Sequence, residues 1–355
     1  LDLVVVGDAL GLASLLDQRY GGGFAAHPRF GTAKFQKAKF TIDLAMARSE
    51  TYKRPGALPT VKPGSISDDL FRRDFTINTM AIHLNPARFG ELVDPYQGKN
   101  DLDSGLIRIL HPRSFIDDAT RILRALRYEQ RLDFQLEPET EKLLRRDVAM
   151  LDTVSRDRLR HEMELILGEE RPEKVFIRGE ELGVLKMLHP SLKGNGWLAE
   201  KFEEARQSTI PDQSLYLCLF IYQLTGQENE GLIALLKIPG KTAKTMRDTL
   251  QLKRELPTLD GPGLLPSVIY HLLEDYSTQA ILAVSLACPS PTASSRLRLY
   301  LDRLRYVKPS LNGEALKRMG VPQGPHLGEI LRVLREARLD HAVVRNEPDR
   351  YLVLA

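Results

Sequence analysis

The run Phe71-Arg72-Arg73-Asp74-Phe75-Thr76-Ile77-Asn78-Thr79-Met80-Ala81 constrains this chain more than any other stretch. Two adjacent guanidiniums, a carboxylate directly after them and an amide about one helical turn beyond stand among residues that demand a core, Phe75, Ile77 and Met80. Such a polar set suits a ligand with several negative charges and a sugar. Arginines grip phosphate bidentately, and Asp and Asn address hydroxyls. The residues alone describe equally well a charged helix start whose Asp and Arg side chains pair at the surface.

The pattern around this run changes once along the chain. Leu3 to Val6 is a short Val-rich strand run, and Ala9 to Leu16 is apolar and helical. Gly21-Gly22-Gly23 makes a turn, and Phe24 to His27, Lys34 to Phe40 and Ile42 to Ala47 read as strands. Pro55, Gly56, Pro59, Pro63 and Gly64 mark Thr51 to Ser67 as a mobile loop. A helix through Arg72 to Asn78 follows, then a hairpin of Ile82 to Leu84 with Gly90 to Val93. From Phe115 the pattern is helical almost to the end, with breaks at Lys193 to Gly196, Pro257 to Pro266 and Pro289 to Ser295. The expected class is α+β: a small mixed sheet, then an elongated helical remainder.

Bulk properties narrow the field without choosing a function. The 355 residues suffice for two or three compact domains. A formal charge of +3 is too small to mark a nucleic-acid binder, so any RNA contact has to come from local patches. Cys218 and Cys288 are isolated, with no metal-type spacing, which fits a reducing cytoplasm. Leu215 to Leu224 is too short an apolar run to span a bilayer and reads as a core helix, so no membrane partner is expected.

Four elements in order carry a resemblance. The opening run is similar to an RRDFTINAMA signature, with Thr79 where Ala is usual. Asp94-Pro95-Tyr96-Gln97-Gly98-Lys99-Asn100-Asp101-Leu102 resembles DPxxGxxDL. Asp117-Asp118-Ala119-Thr120-Arg121-Ile122-Leu123-Arg124 resembles EDxxRxLR, with Asp117 for Glu. Ser155-Arg156-Asp157-Arg158 to Glu162 resembles SxERxxxE, with Asp157 for the first Glu. Together they resemble the tRNA nucleotidyltransferase/poly(A) polymerase family, class II, which contains the bacterial CCA-adding enzymes. The likeness is detailed over roughly the first half of the chain.

The resemblance implies a polymerase-β-like head over residues 1–110, a helical neck that recognises the base over 111–192, a body over 193–262 and a tRNA-binding tail over 263–355. It implies Mg²⁺ as cofactor, because carboxylates on neighbouring strands hold two such ions for attack on an α-phosphate. Asp2 resembles the second Asp of the family's Asp-x-Asp strand, and Asp43 a further acid of the same site. Alternation puts Asp43 on the face opposite Ile42 and Leu44; read alone, it is a solvent-facing strand residue. The first Asp of the pair and the upstream GGxVRD element have no counterpart here. The expectation is therefore a chain that starts within the active-site strand and has little or no transferase activity as it stands.

For nucleotide binding the resemblance points to Arg72, Arg73, Asp74 and Asn78 at ribose and triphosphate. It places Asp117, Asp118, Arg121 and Arg124 at the base and Arg158 on the neck helix. Asp118 and Arg121 sit three apart, on one face of an expected helix. Cytosine and adenine both offer an amine donor beside a ring-nitrogen acceptor, a pattern that an Asp acceptor and an Arg donor match. A mispaired uracil or guanine leaves buried polar groups unsatisfied at about 1–3 kcal/mol each. Read alone, the same residues are a helical ion-pair ladder. Arg48 and Glu50 resemble a pattern that braces the following loop.

In the second half Lys237, Lys241, Lys244, Arg247, Lys253 and Arg254 form one basic stretch, and Arg303, Arg305, Lys308, Lys317 and Arg318 another. Both read as solvated faces or as contacts to the backbone of tRNA. The implied function is template-independent addition of C and A to the tRNA 3′ end from CTP and ATP. The alternatives are an A-adding enzyme or poly(A) polymerase of the same family, and a non-catalytic RNA-binding remnant.

Overall fold

A computed structural model describes residues 1–54, 56, 59–309 and 311–344. The chain forms two compact units, Leu1–Met187 and Leu188–Ala355. The architecture is the expected α+β one, a small mixed sheet followed by helices.

In the first unit β1 (Asp2–Val5), α1 (Ala9–Tyr20), β2 (Phe24–His27), β3 (Thr32–Lys37) and β4 (Phe40–Met46) build the sheet. Its order is β1-β4-β3-β2, with β1 parallel to β4 and the other pairs antiparallel. Alternation sorts the side chains by face. Leu3, Val5, Ala33, Phe35, Ile42 and Leu44 pack against Ala9 and Ala13 of α1, leaving the opposite face open. Asp8 starts α1 by accepting from the Gly11 N–H at 2.9 Å. The expected strands Lys34 to Phe40 and Ile42 to Ala47 shift in the sequence, because Ala38 turns the chain with φ 50° and Phe40 opens β4.

Two expectations are corrected in the next segment. β5 (Arg48–Thr51) and β6 (Thr60–Pro63) form an antiparallel ribbon whose second strand lies inside the stretch read as a loop. Pro63 closes β6 opposite Arg48, so the proline bounds the strand instead of abolishing it. Pro55, Ala57 and Leu58 of that stretch lie outside the described residues. α2 (Ile66–Phe71) then starts at a Ser65–Asp68 capping box. The second correction concerns the helix read through Arg72 to Asn78. α2 stops at Phe71, Phe75 is extended (φ −132°, ψ 153°), and Thr76–Asn78 form a single 3₁₀ turn. Neighbouring backbone explains it: Phe75 bridges Ile109, and the Thr76 N–H donates to the Arg108 carbonyl at 2.9 Å.

The expected hairpin exists in shortened form as β7 (Ala81–Ile82) and β8 (Leu92–Val93). The Asp94 to Leu102 element is a clamp on the 3₁₀ turn. Asp94 accepts from the Gly98 and Lys99 N–H groups at 2.7 and 2.9 Å and so starts α3 (Gly98–Asp103). A Cβ on Gly98 would lie 2.2 Å from the Thr76 carbonyl oxygen, so only glycine lets α3 sit this close. Buried Asp101 accepts from Thr76 Oγ1 at 2.6 Å and from Arg108 Nε at 3.0 Å. β9 (Leu106–Ile107), α4 (Ser114–Asp117), α5 (Thr120–Arg131), β10 (Gln135–Leu136), α6 (Pro138–Asp147), α7 (Arg156–Leu167) and α8 (Pro172–Glu181) follow, and α5 packs on α7 and α8. The chain leaves this unit through α9 (Val184–Leu188).

The second unit is helical throughout its described residues: α10 (Gly196–Ser208), α11 (Gln213–Ile221), α12 (Gly226–Leu235), α13 (Gly240–Arg254), α14 (Leu256–Asp260), α15 (Pro266–Leu273), α16 (Thr278–Ala287), α17 (Pro291–Asp302), α18 (Gly313–Arg318) and α19 (Pro325–Val344). Two expected breaks are narrower than read, since Pro257 and Pro291 occupy the first turns of α14 and α17, where a missing N–H costs nothing. α11 carries the apolar run from Leu215 and is buried; burial pushes the Cys218 thiol up to about 12. No helix among the described residues is long and apolar enough to cross a membrane.

α19 docks on α15 through polar contacts. Asp340 accepts from the Ser267 N–H and Oγ at 2.8 and 2.9 Å. His271 lies between two carboxylates, Nδ1 to Glu274 at 2.8 Å and Nε2 to Glu336 at 2.9 Å. These hydrogen bonds hold its pKa above the ordinary histidine value. A raised folded pKa means the stabilisation is complete below about pH 6.5 and is lost as pH rises through the folded value. An NMR titration of the His271 ring is expected to give a midpoint above 6.5. The stability gap between wild type and His271→Gln, read by urea unfolding, is expected to shrink from about pH 6 to about pH 9.

Candidate active site

The open face of the sheet carries a row of charge. Asp2 of β1 is the register partner of Asp43 of β4, which is in turn the partner of Lys34 of β3. Neighbouring strands lie about 4.8 Å apart, so the carboxylates of Asp2 and Asp43 stand side by side. Lys34 Nζ is 3.4 Å from Asp43 Oδ1, and Asp43 keeps 47% of its side chain exposed. Two adjacent hard oxygen donors with water access suit a hard divalent cation that keeps part of its hydration shell. Among the described residues no group of three or more His, Cys, Asp or Glu converges as a metal cage.

Next to the ribbon lies a guanidinium cluster organised by two acids. Asp69 of α2 is fully buried and accepts from Arg72 Nε and Nη2 at 2.9 and 2.8 Å and from Arg73 Nη2 at 3.3 Å. Glu50 of β5 accepts from Arg48 Nη2 at 2.9 Å, Arg72 Nη1 at 3.2 Å and the Tyr52 hydroxyl at 3.0 Å. Burial and the Glu50 carboxylate push the Tyr52 hydroxyl above the usual tyrosine range. Arg73 Nη1 also donates to the Asn78 carbonyl at 2.9 Å. The two arginines are therefore oriented from behind by acids.

Asp74 and Asn78 meet α5. Asp74 accepts from Asn78 Nδ2 at 2.9 Å, from the Phe75 N–H at 3.0 Å and from Arg124 Nε at 2.8 Å. Burial pushes the Asp74 carboxyl up, but Arg124 and these hydrogen bonds outweigh it and hold it below the usual carboxylate range. Arg124 also lies 3.9 Å from Glu162 of α7, whose carboxyl burial pushes up.

The Asp118–Arg121 geometry read from the sequence is corrected. Asp118 lies in the break between α4 and α5, extended at φ −141°, because its carboxylate accepts from the Thr120 N–H and Oγ1 at 3.1 and 2.7 Å. Its ion-pair partner is Arg158 of α7, at 2.7 Å. Arg121 is only 5% exposed and donates through Nη2 to the Arg72 carbonyl at 2.7 Å. Its Nη1 is buried with no hydrogen-bond partner. Asp117 ends α4 and faces Arg113 at 3.7 Å. Asp69, Thr120 and Lys34 are the residues that motif reading passes over. The i, i+3 and i, i+4 spacing of Asp69 to Arg72 and Arg73 was the available signal.

Sequence and structure comparisons agree on the kinship. Residues 1–108 match the Poly A polymerase head domain, and residues 133–194 match the family described as the probable RNA and SrmB-binding site of polymerase A. The chain is similar to the structure of CCA-adding enzyme apo form II, with a TM-score of 0.82, 33% identity and coverage of 96% of this chain and 83% of that one. The chain belongs to the tRNA nucleotidyltransferase/poly(A) polymerase family. The Thermotoga maritima CCA-adding enzyme complexed with tRNA is similar at TM-score 0.77 and 31% identity, covering 99% of this chain and 83% of that one. The A-adding tRNA nucleotidyltransferase of Geobacter sulfurreducens is 34% identical over 99% of this chain and 42% of its own length. The chain thus spans about two-fifths of that relative.

In the second unit of this family member the basic stretches are partly engaged. Lys244 pairs with Asp248 at 2.8 Å, Arg247 with Glu230 at 2.6 Å and Lys317 with Glu314 at 3.0 Å. Arg305 Nη1 donates to Thr278 Oγ1 at 3.3 Å. Lys237, Lys241 and Arg303 are exposed.

The Asp74–Arg124 pair makes a stability prediction. Arg124→Gln leaves a buried carboxylate without its main cation and is expected to cost about 2–4 kcal/mol in chemical denaturation. A lowered folded pKa stabilises above the ordinary carboxylate range, and that contribution is lost as pH falls through the folded value. The acid-unfolding midpoint of Arg124→Gln is therefore expected above that of wild type.

Proposed function

We propose that this chain carries the transfer and base-selecting parts of a template-independent tRNA nucleotidyltransferase, adding A to a tRNA 3′ end. The observation that carries the reading is the register pairing of Asp2 with Asp43 on the open face of a head-domain sheet. On this reading the two carboxylates hold Mg²⁺, which when bound polarises the α-phosphate and promotes ionisation of the attacking 3′-hydroxyl. Arg72 and Arg73, oriented by Asp69 and Glu50, meet the triphosphate, and Asp74 with Asn78 meets the ribose.

Base selection falls to Arg121 and Asp118. The unpartnered Nη1 of Arg121 is a buried donor that lacks an acceptor, and a ring nitrogen of adenine or cytosine supplies one. Asp118 already accepts three hydrogen bonds, and its remaining lone pair suits the exocyclic amine. Arg158 holds the carboxylate oriented, Asp117 ends α4 beside the break, and Arg124, one turn into α5, holds Asp74. The partner is tRNA, held through its backbone by exposed cations of the helical unit such as Lys237, Lys241 and Arg303.

A transfer is common to both substrate readings, and C transfer divides them. The A-adding relative aligned over 99% of this chain favours A alone. The similarity to CCA-adding structures supports C and A addition. The test offers the full-length gene product tRNAs ending before CCA, after C and after CC, with labelled CTP or ATP. Labelling only of the CC-ended tRNA, by ATP, marks an A-adding enzyme; extension of all three marks a CCA-adding one; extension of none overturns the proposal. Asp43→Asn is expected to lower transfer by about a hundredfold or more. Arg121→Ala is expected to lower the preference for ATP over GTP by about tenfold, measured as a ratio of kcat/KM.

A further inference from the structure

Lys34 is a third member of the charged row, and none of the four family elements contains it. It stands in register with Asp43, on the open face, with its ammonium 3.4 Å from Asp43 Oδ1. The other register neighbour of Lys34 is Ala25 on β2, which supplies no competing charge. Without Lys34, Asp2 and Asp43 would be like charges directly opposite on neighbouring strands, a destabilising arrangement. An exposed pair of this kind adds little to global stability. Its place in the row gives it another consequence, because a cation that binds both carboxylates competes with the lysine for Asp43.

We propose that Lys34 is a positioning residue that acts as the resident counter-ion of the Asp2–Asp43 site and is handed over when the divalent cation binds. Displaced from Asp43, the ammonium stays tethered to β3 by a flexible four-carbon stem over the same open face. Phosphates of a nucleotide held by that cation would come within the same reach. Lysine is suited to both roles as a compact point charge that exchanges partners without a fixed fork geometry. The inference rests on the metal-holding role proposed above for Asp2 and Asp43.

The handover predicts changes of opposite sign. Lys34→Met keeps the stem and removes the charge. In the full-length gene product it is expected to tighten Mn²⁺ binding, read by electron paramagnetic resonance of the free ion, by about three- to tenfold at low salt. It is expected to enlarge the rise in Tm produced by Mg²⁺. At saturating Mg²⁺ it is expected to weaken ATP binding severalfold. Unchanged Mn²⁺ affinity in Lys34→Met overturns the counter-ion role, and unchanged ATP affinity overturns the handover to phosphate. Asp43→Asn separates this inference from its foundation: if Asp43→Asn leaves Mn²⁺ affinity unchanged, the metal reading itself fails. If Mn²⁺ binds neither wild type nor Lys34→Met, both ideas fail together.

Discussion

A fully buried carboxylate, Asp69, is the constraint from which the arginine-rich segment takes its shape. A charge without solvent must be paired and hydrogen-bonded, and Asp69 obtains its partners from the chain immediately after it, Arg72 and Arg73. This has two consequences. The guanidiniums are fixed from behind, so they lose little further rotamer freedom when they meet an anion. The backbone of Arg72 is fixed as well, and its carbonyl receives Arg121 from α5. One buried acid thus connects the ribbon, the turn and the helix.

The clamp formed by Asp94, Gly98 and Asp101 does the complementary work from the other side. It anchors the 3₁₀ turn through Thr76, whose hydroxyl binds Asp101 and whose carbonyl meets Gly98. Asp74 and Asn78 are thereby delivered to Arg124 with Phe75 buried between them. Motif residues that look like ligand contacts in a sequence divide into two groups here. Asp94, Gly98 and Asp101 build the turn, while Arg72, Arg73, Arg121 and Asp118 keep hydrogen-bonding capacity that internal partners shape.

Much of this was legible from residue order, and the failures have physical causes. The sheet, α1 and the face assignment of Asp43 follow from period-two alternation, which survives because one face is buried on α1. The helix read through Arg72 to Asn78 was wrong because the backbone of Phe75 and Thr76 is paired with a segment some thirty residues on. Local propensity carries no information about such a partner. The departure of Asp118 from the helix has a different, local cause: its carboxylate binds the Thr120 N–H two residues on and breaks the helix at that point. The Asp118–Arg158 pair and the Lys34–Asp43 pair depend on tertiary or cross-strand register, which one sequence does not specify.

The arginines of the site differ in how completely they are satisfied, and that difference carries meaning. Arg124 and Arg158 have carboxylate partners, whereas Arg121 is buried with one nitrogen unpaired. An orphaned buried donor costs free energy, which an acceptor brought by a ligand would recover. If the proposed ligand supplies the acceptor, that cost becomes selectivity. A base presenting a ring-nitrogen acceptor relieves it, and a base presenting a second donor leaves it in place. Arg121 cannot turn away to find water, because Nη2 is tied to the Arg72 carbonyl, which Asp69 in turn holds in position. The rigidity that begins at one buried acid therefore prevents the Arg121 donor from satisfying itself elsewhere, as the proposed base selection would require.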